Sequence, residues 1–201
     1  CSKLKIVEFS KDCVLQTIDK RAFSYSSIES LSIPSHVKMI GESCFCGCDK
    51  LKKIEFNEDS ELETICEHDS KLTTIDDHAF YESAIECILI PSNVKRIGKC
   101  AFNECYKLEK VDFMENSKLT SIEKATFSET SIQKVVIPSN VTQIGESSFC
   151  FCNNLKTIEF QPNSMLHSIQ KSAFVTSTIN VQHFSIIVNI PHMSYLCIYI
   201  L

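Results

Sequence analysis

The sequence repeats itself, and this repetition constrains the fold more than any other feature. The tripeptide Ile-Pro-Ser occurs three times, beginning at Ile33, Ile90 and Ile137. Each copy continues into Val-x-x-Ile-Gly and then into a phenylalanine that a cysteine follows three residues later. The second and third copies are 47 residues apart and the first two are 57 apart, which leaves ten additional residues between the first two. A fixed period of this length indicates a stack of similar units.

Each 47-residue copy consists of two related halves of 23 and 24 residues. Both halves have apolar residues at relative positions 1, 4 and 6, and positions 4 and 6 alternate with more polar ones, as in a short strand with one buried face. One such unit cannot bury its apolar face alone, so we expect the units to stack. Seven units fit the pattern, and an eighth begins at Ile179 and then loses it. The seven begin at Leu4, Ile28, Leu51, Ile85, Leu108, Ile132 and Leu155.

The spacing within each unit predicts the elements of a leucine-rich-repeat turn. The first strand should join a parallel sheet on the concave side, and the proline that follows it should end it, because proline has no amide hydrogen. The Val-x-x-Ile-Gly stretch predicts a second short extended piece. The stretch around each phenylalanine predicts a short helical turn on the convex side. The phenylalanines should stack as a spine through the core: Phe23, Phe45, Phe80, Phe102, Phe127, Phe149 and Phe174.

The motif I-P-S-x-V-x-x-I-G-x-x-x-F-x-x-C-x-x-L-x-x-I-x-F closely resembles the BspA-like class of leucine-rich-repeat proteins. The resemblance covers residues 1–180 and implies a curved, right-handed solenoid with a parallel sheet on its concave face. It also implies a cell-surface or secreted, adhesin-type antigen that binds extracellular-matrix or cell-surface proteins and has no catalytic residues. The alternative is an intracellular interaction scaffold, which abundant unpaired cysteines and the lack of a visible signal peptide favour.

Composition excludes several other functions. The formal net charge is −5 and the basic residues are scattered, so the basic face of a nucleic-acid-binding protein is not expected. The chain has four glycines and contains neither the dinucleotide-binding nor the phosphate-loop glycine motif. We therefore predict a protein that is not an enzyme and needs no cofactor or metal, and we expect it to be monomeric.

The two ends of the chain are unusual. The first residue is Cys1 rather than methionine, from which we expect a fragment or a processed chain. Residues 172–201 contain no charged side chain. We assign 181–201 to a divergent tail, which is either a terminal repeat or a membrane anchor.

The ten additional residues look like a local duplication. Residues 60–65 resemble residues 70–75, and only one copy can occupy the regular position. We expect the other to form a loop at about 57–67, and such loops can carry binding sites. The best metal-ligand candidates, Cys66, His68 and His78, lie near this insertion. The close cysteine pairs Cys44-x-Cys46 and Cys150-x-Cys152 have no matching histidine pair, so a zinc site is not expected.

The repeat phase explains several of the twelve cysteines. Cys48, Cys105 and Cys152 share one repeat position with Cys1, and the alternate halves have serine or threonine there. Such interchange indicates a buried position for a small side chain. Cysteines at this position should be about 9–10 Å apart, beyond the reach of a disulfide. The alternative is a few disulfides that involve Cys46 or Cys150.

The candidate binding surface consists of the outward residues of the strands, at relative positions 3 and 5. A column of acidic residues, interrupted by Leu89 and Val136, should run beside a shorter column of lysines. This arrangement is either a solvated charge ladder or a partner surface with an apolar centre and a charged rim. The candidate residues are Glu8, Ser32, Lys53, Glu55, Cys87, Leu89, Lys110, Asp112, Lys134, Val136, Thr157 and Glu159. A glycosylation sequon also occurs at Asn140.

Overall fold

The computed structural model describes residues 2–10, 12–56 and 70–175. Two rows of short parallel strands run along the stack, one row on each side of an apolar core. In chain order the strands are β1 (Thr17–Ile18), β2 (Ser30–Ile33), β3 (Met39–Ile40), β4 (Lys53–Phe56), β5 (Thr74–Ile75), β6 (Cys87–Ile90), β7 (Arg96–Ile97), β8 (Lys110–Phe113), β9 (Ser121–Ile122), β10 (Lys134–Ile137), β11 (Gln143–Ile144), β12 (Thr157–Phe160) and β13 (Ser168–Ile169).

The longer strands form one six-stranded parallel sheet in the order β12-β10-β8-β6-β4-β2. The two halves of each copy pair along four residues, for example from Ser30 opposite Lys53 to Ile33 opposite Phe56. The two-residue strands form a four-stranded sheet, β1-β3-β5-β7, and a three-stranded sheet, β13-β11-β9. The structure therefore confirms a parallel-sheet solenoid of the leucine-rich-repeat type.

Proline ends the strands of one half, as predicted. β6 ends at Ile90 directly before Pro91, and β10 ends at Ile137 directly before Pro138. In the other half the equivalent residue, Met114, donates its amide to the carbonyl of Ile90 at 3.0 Å. Proline cannot make this bond, and β4 pairs with β6 through their first residues alone. The six strands are thus joined alternately by long and short ladders.

The core is continuous along the stack, and the phenylalanine spine is present. The seven rings lie face to face in one row from Phe23 to Phe174, with centroids of neighbouring rings 5.0–5.5 Å apart. Five of them, from Phe45 to Phe149, are fully buried. Every unit therefore contributes one ring, and each ring packs mainly on the units before and after it.

The predicted helical turns are wrong, because the described residues contain no helix. Around each phenylalanine from Phe23 to Phe149 the backbone instead forms consecutive tight turns with positive φ two residues before and two residues after the ring, as at Arg21 (58°) and Tyr25 (53°). The amide of Phe23 donates to the carbonyl of Cys44 in the next unit, whereas the amide of Ser24 donates to that of Arg21. Alternate amides therefore join neighbouring units, which an α-helix cannot do because it bonds every amide within itself.

Of the two duplicated segments, the copy at 70–75 occupies the regular position. Leu72 and Ile75 are fully buried, and β5 pairs with both β3 and β7. The predicted loop at 57–67, the unit that begins at Ile179 and the tail at 181–201 lie outside the described residues. The first unit packs against the core through Leu4, Val7 and Phe9, but residues 4–10 form no strand, and the strand of this unit is β1.

Three glycines sit where neighbouring units approach most closely. A Cβ atom added to Gly145 would lie 2.7 Å from the carbonyl carbon of Glu123 and 2.8 Å from the carbonyl oxygen of Ile122. Gly41 and Gly98 have equally close neighbours. Since these neighbours are mostly backbone atoms, they cannot move away by a change of rotamer, and glycine is the residue that fits.

Candidate functional site

The outward residues of the six-stranded sheet form one surface, which we call the six-stranded face. It has two columns, at positions 3 and 5 of the units, and all predicted residues except Glu8 lie in it. Glu8 is exposed but belongs to no strand. Position 3 is occupied by Ser30, Lys53, Cys87, Lys110, Lys134 and Thr157. Position 5 is occupied by Ser32, Glu55, Leu89, Asp112, Val136 and Glu159.

The charges of the six-stranded face are paired with one another. The three contacts are Lys53–Glu55 at 2.5 Å, Lys110–Asp112 at 2.6 Å and Lys134–Glu159 at 2.7 Å. The first two pairs lie within a strand, because residues two apart in a strand share a face. Lys134 instead reaches the next strand, because its own strand has Val136 where the acid would be. The sequence predicted the two columns but not this pattern of pairing.

The ion pairs within β4 and β8 change the titration of Lys53 and Lys110. A hydrogen bond and the charge of Glu55 raise the pKa of Lys53 above its ordinary value, and Asp112 raises the pKa of Lys110 in the same way. All these side chains are largely exposed, so the pairs contribute little to stability. They remain available to exchange partners with a bound molecule.

Strand β6 carries no charge on the six-stranded face. Cys87 is exposed between Lys53 and Lys110, which are its register neighbours on β4 and β8. Leu89, 45% exposed, faces solvent beside it, and Val136 is 36% exposed two strands away. The face therefore presents an apolar centre between ion-paired residues.

A depression of about 540 Å³ lies over β4, β6 and β8. It coincides with the place where β4 and β6 pair through one residue alone. The sequence did not indicate Phe56, Pro91 or Met114 as part of the surface, yet all three line it together with Leu89 and Cys87. A depression with apolar walls and charged rims can receive an apolar side chain of a partner.

Packing and hydrogen bonds account for the cysteines at the repeat position of Cys48, Cys105 and Cys152. All nine that the structure describes are free thiols. Cys105 is fully buried, donates to the carbonyl of Phe80 at 2.9 Å and lies 3.4 Å from the hydroxyl of Ser83. Cys48 and Cys152 make the equivalent contacts with the units that precede their own. The sulfur thus occupies a small, weakly polar position that serine or threonine fills in the alternate units.

A second group of polar residues was missed by the sequence analysis. The hydroxyls of Tyr81 and Tyr106 both donate to the carboxylate of Glu104, at 2.7 and 2.9 Å. These hydrogen bonds raise the pKa of Tyr106 to about 12. Glu104 occupies the positive-φ position two residues after the spine phenylalanine. Only knowledge of that turn geometry could have shown that these side chains meet.

The described residues show no metal site and no membrane span. Within 2–10, 12–56 and 70–175, no three His, Cys, Asp or Glu side chains are grouped so that they could hold a metal ion. Cys66 and His68 lie outside these ranges, whereas the ring of His78 packs on Tyr81. In the same part of the chain, no helix has the length and hydrophobicity needed to span a membrane.

The fold defines the chain as a leucine-rich-repeat solenoid, a scaffold typical of non-enzymatic repeat proteins. The model of the BspA type leucine rich repeat region matches residues 1–69 and 73–199 in six copies. The chain belongs to this family, as its motifs predicted. The search of curated proteins found no match.

Several solved structures are similar to this one, among them the following two. The pneumococcal vaccine antigen PcpA is 28% identical over 75% of this chain and 37% of its own, with a TM-score of 0.66. The leucine-rich-repeat protein of T. pallidum is 22% identical over 81% of this chain and 70% of its own, with a TM-score of 0.52. The second likeness concerns the fold alone. The chain spans little more than a third of the length of the pneumococcal antigen.

Proposed function

We propose that this chain is a non-enzymatic, protein-binding solenoid of a cell-surface or secreted antigen, and that it binds its partner through the six-stranded face. The observation that carries the proposal is the apolar centre of that face. Leu89 and Val136 are exposed on rigid strands whose charges are already neutralised in pairs. Exposed apolar groups with a charged rim are the usual composition of a binding surface.

The surface location is supported by family membership and by the likeness to the pneumococcal vaccine antigen. Protease treatment of intact cells tests it, with immunodetection of this chain and of a cytosolic protein. We expect the chain to be cleaved while the cytosolic protein survives. Protection of both proteins until lysis would refute the surface location.

The binding role is tested with the purified chain and a panel of immobilised extracellular-matrix proteins. We expect Leu89→Lys combined with Val136→Lys to abolish binding of the responding protein. Met165→Lys is the matched control, because Met165 is also an exposed apolar residue but lies outside the six-stranded sheet. Equal loss in both variants would refute a role for the six-stranded face.

An intracellular interaction scaffold is the second candidate. The nine free thiols favour it, because disulfides are rare in reducing compartments and common outside the cell. The same protease experiment separates the two: protection in intact cells, lost on lysis, is the result expected for the scaffold. The six-stranded face would serve an intracellular partner in the same way.

A further inference from the structure

We propose that Asn140 carries an N-linked glycan, attached at the turn where the chain leaves β10. The proposal rests on the proposed surface or secreted location, because N-linked glycans are added to chains that leave the cytosol. It adds a modification site to that location. Three observations carry it: the tripeptide that begins at Asn140, the exposure of its turn, and the hydrogen bonds that hold the side chain.

The tripeptide at residues 140–142, Asn-Val-Thr, is an acceptor sequence for N-glycosylation. No other asparagine of the chain is followed by x-Ser or x-Thr. The equivalent residues of the first two copies are His36-Val37-Lys38 and Asn93-Val94-Lys95. Asparagine therefore occupies this position twice, but only Asn140 has threonine two residues later. Asn93 is a matched control within the same chain.

The turn of Asn140 is open to solvent. The amide of Val141 donates to the carbonyl of Pro138 at 3.1 Å and closes a turn of four residues, in which Asn140 is exposed. This turn joins β10 to β11 and lies outside both rows of strands. A glycan here would project from the edge of the stack, where glycosylated asparagines are found. The six-stranded face, whose strand β10 ends at Ile137, would remain uncovered.

The folded turn can keep its own contact after the glycan is attached. The side-chain amide of Asn140 donates to the carbonyl of the buried Ser117 at 2.7 Å. Asn93 makes the same contact with the carbonyl of Ser70 at 3.0 Å, so this bond belongs to the repeat. An asparagine side-chain amide has two hydrogens. Replacing one of them by a sugar leaves the other for the carbonyl of Ser117.

The transfer reaction should act on the chain before this unit folds. The donor is a lipid-linked oligosaccharide diphosphate. The side-chain nitrogen of Asn140 loses a proton and forms a bond to the first sugar carbon, the bond from that carbon to the diphosphate oxygen breaks, and the lipid diphosphate leaves. In the folded chain Ser117 holds this nitrogen, and the hydroxyl of Thr142 donates to the carbonyl of Thr120 at 3.0 Å. Both acceptor side chains are therefore already engaged once the unit has folded.

Translation of the 201-residue chain behind a cleavable signal peptide, in the presence of microsomes, tests the acceptor. We expect one slower-migrating species, which peptide-N-glycosidase removes. Asn140→Gln and Thr142→Val should each abolish it, whereas Asn93→Gln, which alters the equivalent contact with the preceding unit, should not. The readout does not require a variant to fold, because the sugar is transferred to the nascent chain. Absence of the slower species, or its survival in Asn140→Gln, would overturn the proposal.

Two further variants of the assay test the reasoning. Lys95→Thr places threonine after Asn93 as in the third copy, at an exposed position, and should add a second shift. Its absence would contradict the claim that threonine distinguishes the two positions. With solubilised microsomes, a peptide of residues 134–146 should be glycosylated and the purified folded chain should not. Equal transfer to both would overturn the role given to the hydrogen bonds of Asn140 and Thr142.

The chain isolated from its own cells shows whether the glycan is present there. Peptide-N-glycosidase in heavy-oxygen water converts a glycosylated Asn140 into a labelled aspartate, which mass spectrometry locates. Labelling of a chain that protease cleaves on intact cells is the expected result. Cleavage without labelling would overturn the glycan and leave the surface location intact. Protection with labelling would overturn the surface location alone, and protection without labelling would overturn both.

Discussion

Replacing Phe102 by alanine tests the claim that the phenylalanine spine holds the stack together. Phe102 is fully buried, and its ring lies between Phe80 at 5.0 Å and Phe127 at 5.4 Å, within 8° of parallel to both. Truncation of a buried phenylalanine costs about 3–5 kcal/mol through lost burial and the cavity left behind. A domain has a free energy of unfolding of about 5–15 kcal/mol, so the loss is a large fraction of the total.

Two variants are compared with Phe102→Ala: one keeps buried volume but removes the aromatic contacts, and the other removes an exposed ring. Phe102→Leu keeps much of the buried volume but loses two aromatic contacts of about 0.5–1.5 kcal/mol each, so we expect a loss of about 1–3 kcal/mol. Tyr106→Ala removes an aromatic ring that is 58% exposed in the same unit, and we expect a change of about 0.5 kcal/mol.

Urea unfolding followed by circular dichroism gives the free energies, and hydrogen exchange shows where protection is lost. Because units contact mainly their neighbours, amides in the units of Phe80, Phe102 and Phe127 should lose protection before those near Phe149. If Phe102→Ala costs less than about 1 kcal/mol, or no more than Tyr106→Ala, the spine is not what couples the units.

Three further predictions concern the close approaches and the thiols. Gly145→Ala should destabilise the chain by about 1–3 kcal/mol, because the new methyl group meets backbone atoms of the preceding unit, whereas Glu146→Ala should cost less than about 1 kcal/mol; urea titration compares them. Cys105→Ser should change the melting temperature little, since serine fills the position in alternate units, whereas Cys105→Leu should lower it by overpacking. Burial raises the pKa of the Cys44 and Cys105 thiols to about 12. Unfolded thiols ionise near about pH 8.5, so the free energy of unfolding should be unaffected below that pH and fall as pH rises from about 9 towards 12. The double variant Cys44→Ala, Cys105→Ser should show a weaker fall, and an unchanged pH dependence would contradict the assigned cause.

Most of the fold could be predicted from the repeat period of the sequence. Position 4 is buried in every strand of the six-stranded sheet, and position 6 is buried where it is isoleucine, as at Ile33, and partly buried where it is phenylalanine, as at Phe56. The spine phenylalanines and the cysteine position could be found by alignment of the units alone. The helical turns could not be judged in this way, because a pattern such as Ala-Phe-x-x-Cys suits a helix as well as a tight turn. Its conformation is decided by hydrogen bonds to the next unit.

The candidate surface was predicted in composition but not in arrangement. The columns at positions 3 and 5 follow from the strand period, since alternate residues share a face. The pairing of Lys134 with Glu159 and the participation of Phe56, Pro91 and Met114 in the depression do not follow from it. They depend on how far each strand stays beside its neighbour, and the missing amide of Pro91 limits that distance between β4 and β6.

The sequence by itself determined that this chain is a leucine-rich-repeat stack with a phenylalanine core and two outward columns of side chains. It could do so because a short strand and its buried face depend on neighbouring residues, and the pattern that defines them recurs in each unit. The tertiary structure alone decided the turn conformation, the close approach at the glycines, the ion pair between Lys134 and Glu159 and the depression over β6. Each of these depends on contacts between units more than twenty residues apart, and local patterns do not record which atoms meet across that interval.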